Sequence, residues 1–480
     1  MHAILTSLIL FAVPQEPAQV PPTPPPNVRC GLGAEFHAGR RAALAEKLGK
    51  EGVLVLRGMN ETRDYTRFHQ DKTFWYLTGV ESPDAIFVMD LETGREVLFL
   101  PPRDENYEIW NGERWDAEDR WVTPLSGIEE VRSGGEPKRS QARGENDAQV
   151  STGELEEVLD EMVEEGERVW VSYHPWVTLS GGYDRAQPAD IQTAWHLLDG
   201  RPSRERALKL KLEEHYGAAV KNCAREIIEL RLVKTEEELD ALRRASDAGA
   251  IAMNEAIRST RAGLGEWELD SLMAWVQRRH GAAGSAYHPI VGSGANSLIL
   301  HYQSNDRRME DGDMLLIDYG PEIDHYVTDI TRTWPVNGTF TERQAELYDA
   351  VLAAQLAGIE ASKPGATIGS VTSAANGVLE ERGHADLIRH GVCHWVGMEV
   401  HDPGDYQTVL APGMVFTIEP GLYEESTGIG IRIEDVVVIT EEGCEVITAA
   451  SPKSREAMEQ LVGEEGILDT LADVELPAER

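Results

Sequence analysis

Acidic side chains set inside apolar strand-like runs constrain this chain of 480 residues more than any other feature. Asp318 closes the run Met314-Leu315-Leu316-Ile317. Glu419 lies inside Val415-Phe416-Thr417-Ile418-Glu419-Pro420-Gly421. Glu434 interrupts Ile431-Arg432-Ile433-Glu434-Asp435-Val436-Val437-Val438. Asp329 follows Asp318 by eleven residues, past Gly320 and a hairpin-like stretch. Buried acids brought together repel: at about 4 Å and an effective dielectric near 20, each pair of like charges costs roughly 4 kcal/mol. Four such groups stay ionised only if positive charge compensates them. Two divalent cations supply that charge, and His394 offers a neutral nitrogen. An oxygen-rich donor set with one imidazole suits manganese, or cobalt, iron or zinc, more than a thiolate site would. Charged residues that break an apolar pattern also mark where function is expected.

The rest of the composition mainly excludes. There are 83 Asp and Glu against 45 Lys and Arg, a formal net charge of -38. Such a surface repels nucleic acid and anionic headgroups, so neither nucleic acid nor membrane is an expected partner. The four cysteines are far apart and form no zinc-ribbon spacing; export would permit one disulfide, with no pair favoured. Residues 4–13 are an apolar run followed by a proline-rich stretch to residue 26. Ten residues are too few to span a bilayer, and the run fits the core of a secretory signal. The expectation is export to a periplasmic or extracellular location, with the cytoplasm as the other reading.

Residues 36–48 read as a helix and residues 53–56 as a buried strand. Residues 74–79 (FWYLTG) read as an aromatic strand ending in a turn. Residues 85–90 and 96–100 form a strand pair joined by Glu92-Thr93-Gly94. Residues 133–152 read as a flexible loop, 154–164 as a helix and 169–173 as a strand. A long helical connector is predicted over 208–232. Thr235 and the acids after it begin a new helix; Thr341 begins another, and Lys363-Pro364-Gly365 ends it. From residue 414 to 440 the pattern is strand, turn, strand. The fold class is α/β (α+β). The expected organisation is a leader and proline-rich linker over 1–26, an N-terminal α/β domain over 30–200 without an evident catalytic cluster, and a catalytic domain over 235–455.

Five segments, in order over about 200 residues, carry a resemblance: Asp318-Tyr319-Gly320, Asp329-Ile330-Thr331-Arg332-Thr333, His394-Trp395-Val396-Gly397, Glu419-Pro420-Gly421-Leu422-Tyr423 and Gly430-Ile431-Arg432-Ile433-Glu434-Asp435. They resemble the signature segments of aminopeptidase P, a proline-specific "pita-bread" metallopeptidase family. The resemblance extends through Val291-Gly292-Ser293-Gly294 and His301-Tyr302, and more weakly to residues 74–79 and 108–110. It implies a pita-bread catalytic domain and two metal ions held by Asp318, Asp329, His394, Glu419 and Glu434. A hydroxide bridging the metals would be the nucleophile, with Glu419 as its general base. His401 would contact the scissile carbonyl and His301 the proline side. His390, Tyr423 and Arg432 would line the proline pocket, Arg432 having an equal claim to orient a ligand carboxylate by a salt bridge. The implied substrates are peptides with proline second, and the implied assembly is a homodimer or homotetramer.

Two other readings stand beside this one. A prolidase shares fold and ligands but cleaves only X-Pro dipeptides. A non-catalytic peptide-binding protein on the same fold would be expected to have lost ligands, and all five are present here. About 200 residues ahead of the catalytic unit disfavour a methionine aminopeptidase. The metal carboxylates disfavour a creatinase-like enzyme.

Overall fold

The computed structural model describes residues 23–25, 28–62, 65–135, 153–177 and 180–471. The apolar run at 4–13 and most of the predicted loop at 133–152 lie outside these residues.

The first half is built on six strands: β1 Val53–Arg57, β2 Ile86–Asp90, β3 Glu96–Leu100, β4 Glu130–Ser133, β5 Arg168–Val171 and β6 Ala219–Asn222. They lie in the order β4-β3-β2-β1-β5-β6, with β1, β2 and β3 antiparallel and the outer pairings parallel. The hairpin predicted around Glu92-Thr93-Gly94 joins β2 to β3, and Asp90 accepts backbone hydrogen bonds from Glu92 and Thr93.

Two sequence expectations fail here. Residues 74–79 are not a strand but part of a helix, Lys72–Thr78, in which every residue is buried. Aromatic β-propensity pointed the wrong way because the ends decide. The Asp71 carboxylate caps the helix by accepting from the Phe74 N–H, and Gly79 closes it in the left-handed region. The predicted connector at 208–232 is two helices, Arg204–Tyr216 and Ala224–Leu232, separated by β6. Gly217, at φ 63°, ends the first, and the chain then adds β6 to the sheet edge.

The second half opens where predicted. Thr235 and Glu238 form a reciprocal capping box at the start of helix Glu236–Arg258. Its strands are β7 Gly284–Ser285, β8 Ile290–Ser293, β9 Met314–Tyr319, β10 Pro321–Ile323, β11 Tyr326–Val327, β12 Ile330–Pro335, β13 Val415–Ile418, β14 Gly421–Glu424, β15 Ile429–Arg432, β16 Asp435–Ile439 and β17 Cys444–Val446. They form small antiparallel sheets: β12-β9-β8, β13-β16-β17, β14-β15 and β11-β10-β7. Helices Glu236–Arg258, Glu266–Arg279, Glu342–Ala361 and Ile368–Glu381 pack their apolar faces on these sheets around one core. An isolated bridge, Thr331 to Glu434, ties two of the sheets together.

The stretch between Asp318 and Asp329 is the β10–β11 hairpin, which turns through Asp324 and His325 at φ 51° and 64°. Gly320 is essential to it, because a Cβ there would lie 1.7 Å from the Thr328 carbonyl oxygen. All four cysteines are free thiols. Among the described residues no helix is long and apolar enough to cross a membrane.

Candidate metal centre

The strands deliver the four acids to one cavity of about 480 Å³. Asp318 comes from β9, Asp329 from just before β12, Glu419 from just after β13 and Glu434 from between β15 and β16. His394 lies on the loop whose backbone bonds Thr417 of β13. Its Nε2 is 3.5 Å from Asp329, 3.4 Å from Glu419 and 3.9 Å from Glu434 Oε1. The ligating atoms of Asp329, His394 and Glu434 all lie within 4.8 Å of one another, and all three residues are buried.

Two features ask for a cation here. His394 Nδ1 is 3.2 Å from the Trp395 carbonyl oxygen, an acceptor, so it must carry the proton. Nε2 then turns a bare lone pair towards three carboxylates, an arrangement a cation or a second proton must bridge. In addition, Glu434 Oε1 is buried and has no hydrogen-bond partner, although such oxygens are normally paired. The adjacent Asp435 shows the contrast: its carboxylate takes Arg332, Gln355 and Thr448, each at 2.7 Å. Burial pushes the Asp329, Glu419 and Glu434 carboxyls well above the usual carboxylate range, and neighbouring acids push further. Burial also acts upward on Asp318, but Arg432 and Tyr287 together hold it below that range. The residues present therefore fit divalent cations, which would discharge the repulsion and occupy the unpaired oxygen.

The remaining expected residues surround this cluster. The His401 ring stacks on His394, with centroids 4.0 Å apart. Burial, then His394, depresses its pKa to about 3. His301 Nδ1 accepts from Arg185 at 2.6 Å. Arg432 is buried; it donates to Asp318 at 2.6 Å and to the Tyr423 hydroxyl at 2.7 Å. Its guanidinium thus pairs with a carboxylate while also lining the cavity. The Tyr423 hydroxyl meets His390 Nε2 at 2.8 Å, and His390 Nδ1 lies 2.7 Å from the Gly391 carbonyl oxygen. Proton directions follow: Arg432 donates to Tyr423, Tyr423 to His390, and His390 to the backbone. Burial, then Arg432, holds His390 neutral with a pKa of about 4. Tyr423 is buried behind the cavity wall, in contact with its lining residues His390 and Arg432.

Sequence reasoning missed several contributors. The Tyr287 hydroxyl lies 2.6 Å from Asp318 and 2.5 Å from Asp329, and its one proton serves either carboxylate in turn. Thr331 donates to Glu434 Oε2 at 2.7 Å and accepts from Arg432 at 3.2 Å. Thr331 was legible within Asp329-Ile330-Thr331-Arg332-Thr333; Tyr287 carried no signal. Gly182, Asp184 and Arg185, at the start of helix Tyr183–Trp195, also line the cavity. The half that showed no catalytic cluster thus supplies part of the site wall.

A cluster of buried acids and one imidazole at the meeting of small antiparallel sheets defines a metallopeptidase. Residues 240–441 match Metallopeptidase family M24, and residues 37–143 match the Aminopeptidase P N-terminal domain. The chain belongs to the aminopeptidase P family of pita-bread metallopeptidases and is a metalloaminopeptidase. It is 32% identical over 465 residues to an Xaa-Pro aminopeptidase of Escherichia coli, covering 89% of this chain and 97% of that protein. Among solved structures, the proline aminopeptidase P II of Yersinia pestis superposes with a TM-score of 0.74 at 31% identity, over 90% of this chain and 99% of that one. An Xaa-Pro dipeptidase of Pyrococcus furiosus is 39% identical, but over only 226 residues, 46% of this chain and 64% of that protein.

Proposed function

We propose that this enzyme releases the N-terminal residue from peptides with proline in the second position, using two divalent cations, manganese by preference. Asp318, Asp329, His394, Glu419 and Glu434 would hold them. The observation that carries this reading is the unpaired, buried Glu434 Oε1 beside the bare Nε2 of His394. When bound, the cations supply Lewis-acid activation of a water and of the scissile carbonyl.

The chain's own residues do the rest. Glu419 takes the proton from the attacking water and returns it to the leaving nitrogen. His401, neutral and stacked on His394, donates to the carbonyl oxygen as charge develops there. Arg432 holds the Asp318 carboxylate ionised and in place. His390, fixed by Tyr423, and His301, fixed by Arg185, receive the proline ring. An X-Pro bond is a tertiary amide without an N–H, so a site that works through the carbonyl and a shaped cavity loses nothing on proline.

The full-length match to aminopeptidases, against a match of about half the chain to the dipeptidase, favours the aminopeptidase over a prolidase. Ile109 and Trp110, each 80% exposed on helix Glu105–Asn111, offer apolar surface for a homodimer or homotetramer. The deciding experiment compares hydrolysis of Arg-Pro-Pro and Gly-Pro with and without manganese. Manganese-dependent release of arginine from the tripeptide is expected. Activity confined to Gly-Pro would establish a prolidase instead, and no hydrolysis of either would favour a binding protein.

A further inference from the structure

A second cluster with metal-binding donors lies outside the cavity, where the two halves of the chain meet. His69 sits just ahead of helix Lys72–Thr78, and Glu322 and His325 are on the β10–β11 hairpin. Their ligating atoms lie within 4.8 Å of one another. Glu322 and His325 are 5% and 7% exposed. The His69 side chain, 22% exposed, leaves a route from solvent.

The protons of this cluster pose the same problem as those of His394. His69 Nδ1 lies 3.2 Å from the Gln70 carbonyl oxygen and must donate to it. Its Nε2 lies 2.8 Å from Glu322 Oε1, a contact that a second ring proton or a cation must bridge. The other oxygen, Oε2, is occupied by Lys72, at 3.1 Å, and by the Ser180 hydroxyl. On His325, Nε2 is taken by the Glu81 carboxylate, while Nδ1 is buried without a partner. A carboxylate on one imidazole nitrogen and a free lone pair on the other is how metal-bound histidines are oriented. His325 also holds a left-handed backbone at the hairpin turn, where glycine and asparagine are the favoured residues. Its ring stacks on Trp75, centroids 4.3 Å apart.

We infer that His69, Glu322 and His325 form a third divalent-cation site, structural in role, which takes zinc and pins the hairpin between Asp318 and Asp329 to the N-terminal half. Two imidazoles and one carboxylate are a zinc donor set that leaves the fourth position to water. Glu81 orients His325, and Lys72 with Ser180 fixes Glu322. The two acids and Lys72 leave one net negative charge for the cation to meet.

The test is zinc content per folded chain, by mass spectrometry after gel filtration, in four proteins. These are the wild type; the catalytic-centre variant Asp329→Ala/Glu434→Ala; the variant His69→Gln/His325→Asn, in which asparagine tolerates the turn; and all four substitutions together. The expected result is one zinc in the catalytic-centre variant and none in the quadruple variant, with zinc raising the melting temperature of the former alone. No zinc in the catalytic-centre variant, or one that survives loss of both histidines, overturns the inference. Should that variant not fold, wild type against His69→Gln/His325→Asn, both loaded with zinc, decides: one zinc fewer per chain in the double variant supports the site, and equal zinc in both refutes it. The ions lost with Asp329 and Glu434 report separately on the catalytic centre.

Discussion

Arg432→Met isolates what one buried charge does for this site. In the metal-free protein Arg432 is the cation that keeps Asp318 ionised, at 2.6 Å, with both side chains almost wholly buried. Without it, Asp318 has no positive partner and takes up a proton on folding. At pH 7, about three units above the ordinary aspartate pKa of about 4, that uptake costs about 4 kcal/mol. At pH 5 it costs only about 1.5 kcal/mol. The lost hydrogen bonds to Tyr423 and Thr331 add about 1 kcal/mol each at either pH. The variant is therefore expected to be about 6 kcal/mol less stable than the wild type at pH 7 and about 3.5 kcal/mol less at pH 5. The sign follows from the two folded states. In the wild type the Asp318 pKa is depressed, so its stabilisation is present above the unfolded value and is lost only as pH falls through the folded value, below both test conditions. In the variant it is raised, and stability falls as pH rises above about 4. Asp329, Glu419 and Glu434 are already raised in the wild type, and loss of Arg432, which acts downward on Glu419 and Glu434, moves those two further in the same direction as Asp318. Hydrogen exchange of the β9 and β12 amides, after chelation, reads the catalytic half alone. Equal losses at the two pH values would falsify this account of Arg432. Added manganese is expected to shrink the loss, because the cations then compensate Asp318.

Three further outcomes are expected. Glu419→Gln abolishes turnover while a substrate peptide still binds, as read by calorimetry; a near-normal rate refutes the general-base role. Chelation lowers the melting temperature, since the buried acids then repel one another or take up protons; an unchanged value counts against cations at this cluster. Gly320→Ala forces a Cβ against the Thr328 carbonyl oxygen, so the hairpin must open and Asp329 shift. A loss of several kcal/mol, or of at least tenfold in manganese affinity, is expected; wild-type behaviour in both measurements would mean that the hairpin does not position Asp329.

How much of this was legible in the sequence depends on the range of the interaction. Local signals held: the Thr235 and Thr341 caps, the Glu92-Thr93-Gly94 turn, and the acids in apolar strands, which sequence could flag because burying a charge is costly wherever it happens. The helix at Lys72–Thr78 was misread because its aromatic residues favour strand, while Asp71 and Gly79, one at each end, decide the conformation. The break at Gly217 was missed because only pairing of β6 with β5 rewards leaving the helix. The approach of Asp184 and Arg185 to the cavity, and of His69 to His325, depends on contacts between segments more than 100 residues apart in the chain, and Tyr287 reaches Asp318 and Asp329 across 31 and 42 residues. No local preference encodes those. Sequence alone flagged four acids whose burial calls for compensating positive charge, and it pointed to the family. Tertiary structure decided which oxygen is left unpaired, where each histidine proton lies, that Arg432 serves Asp318, and that Tyr423 stands behind the wall, because hydrogen-bond partners and burial exist only once distant strands meet.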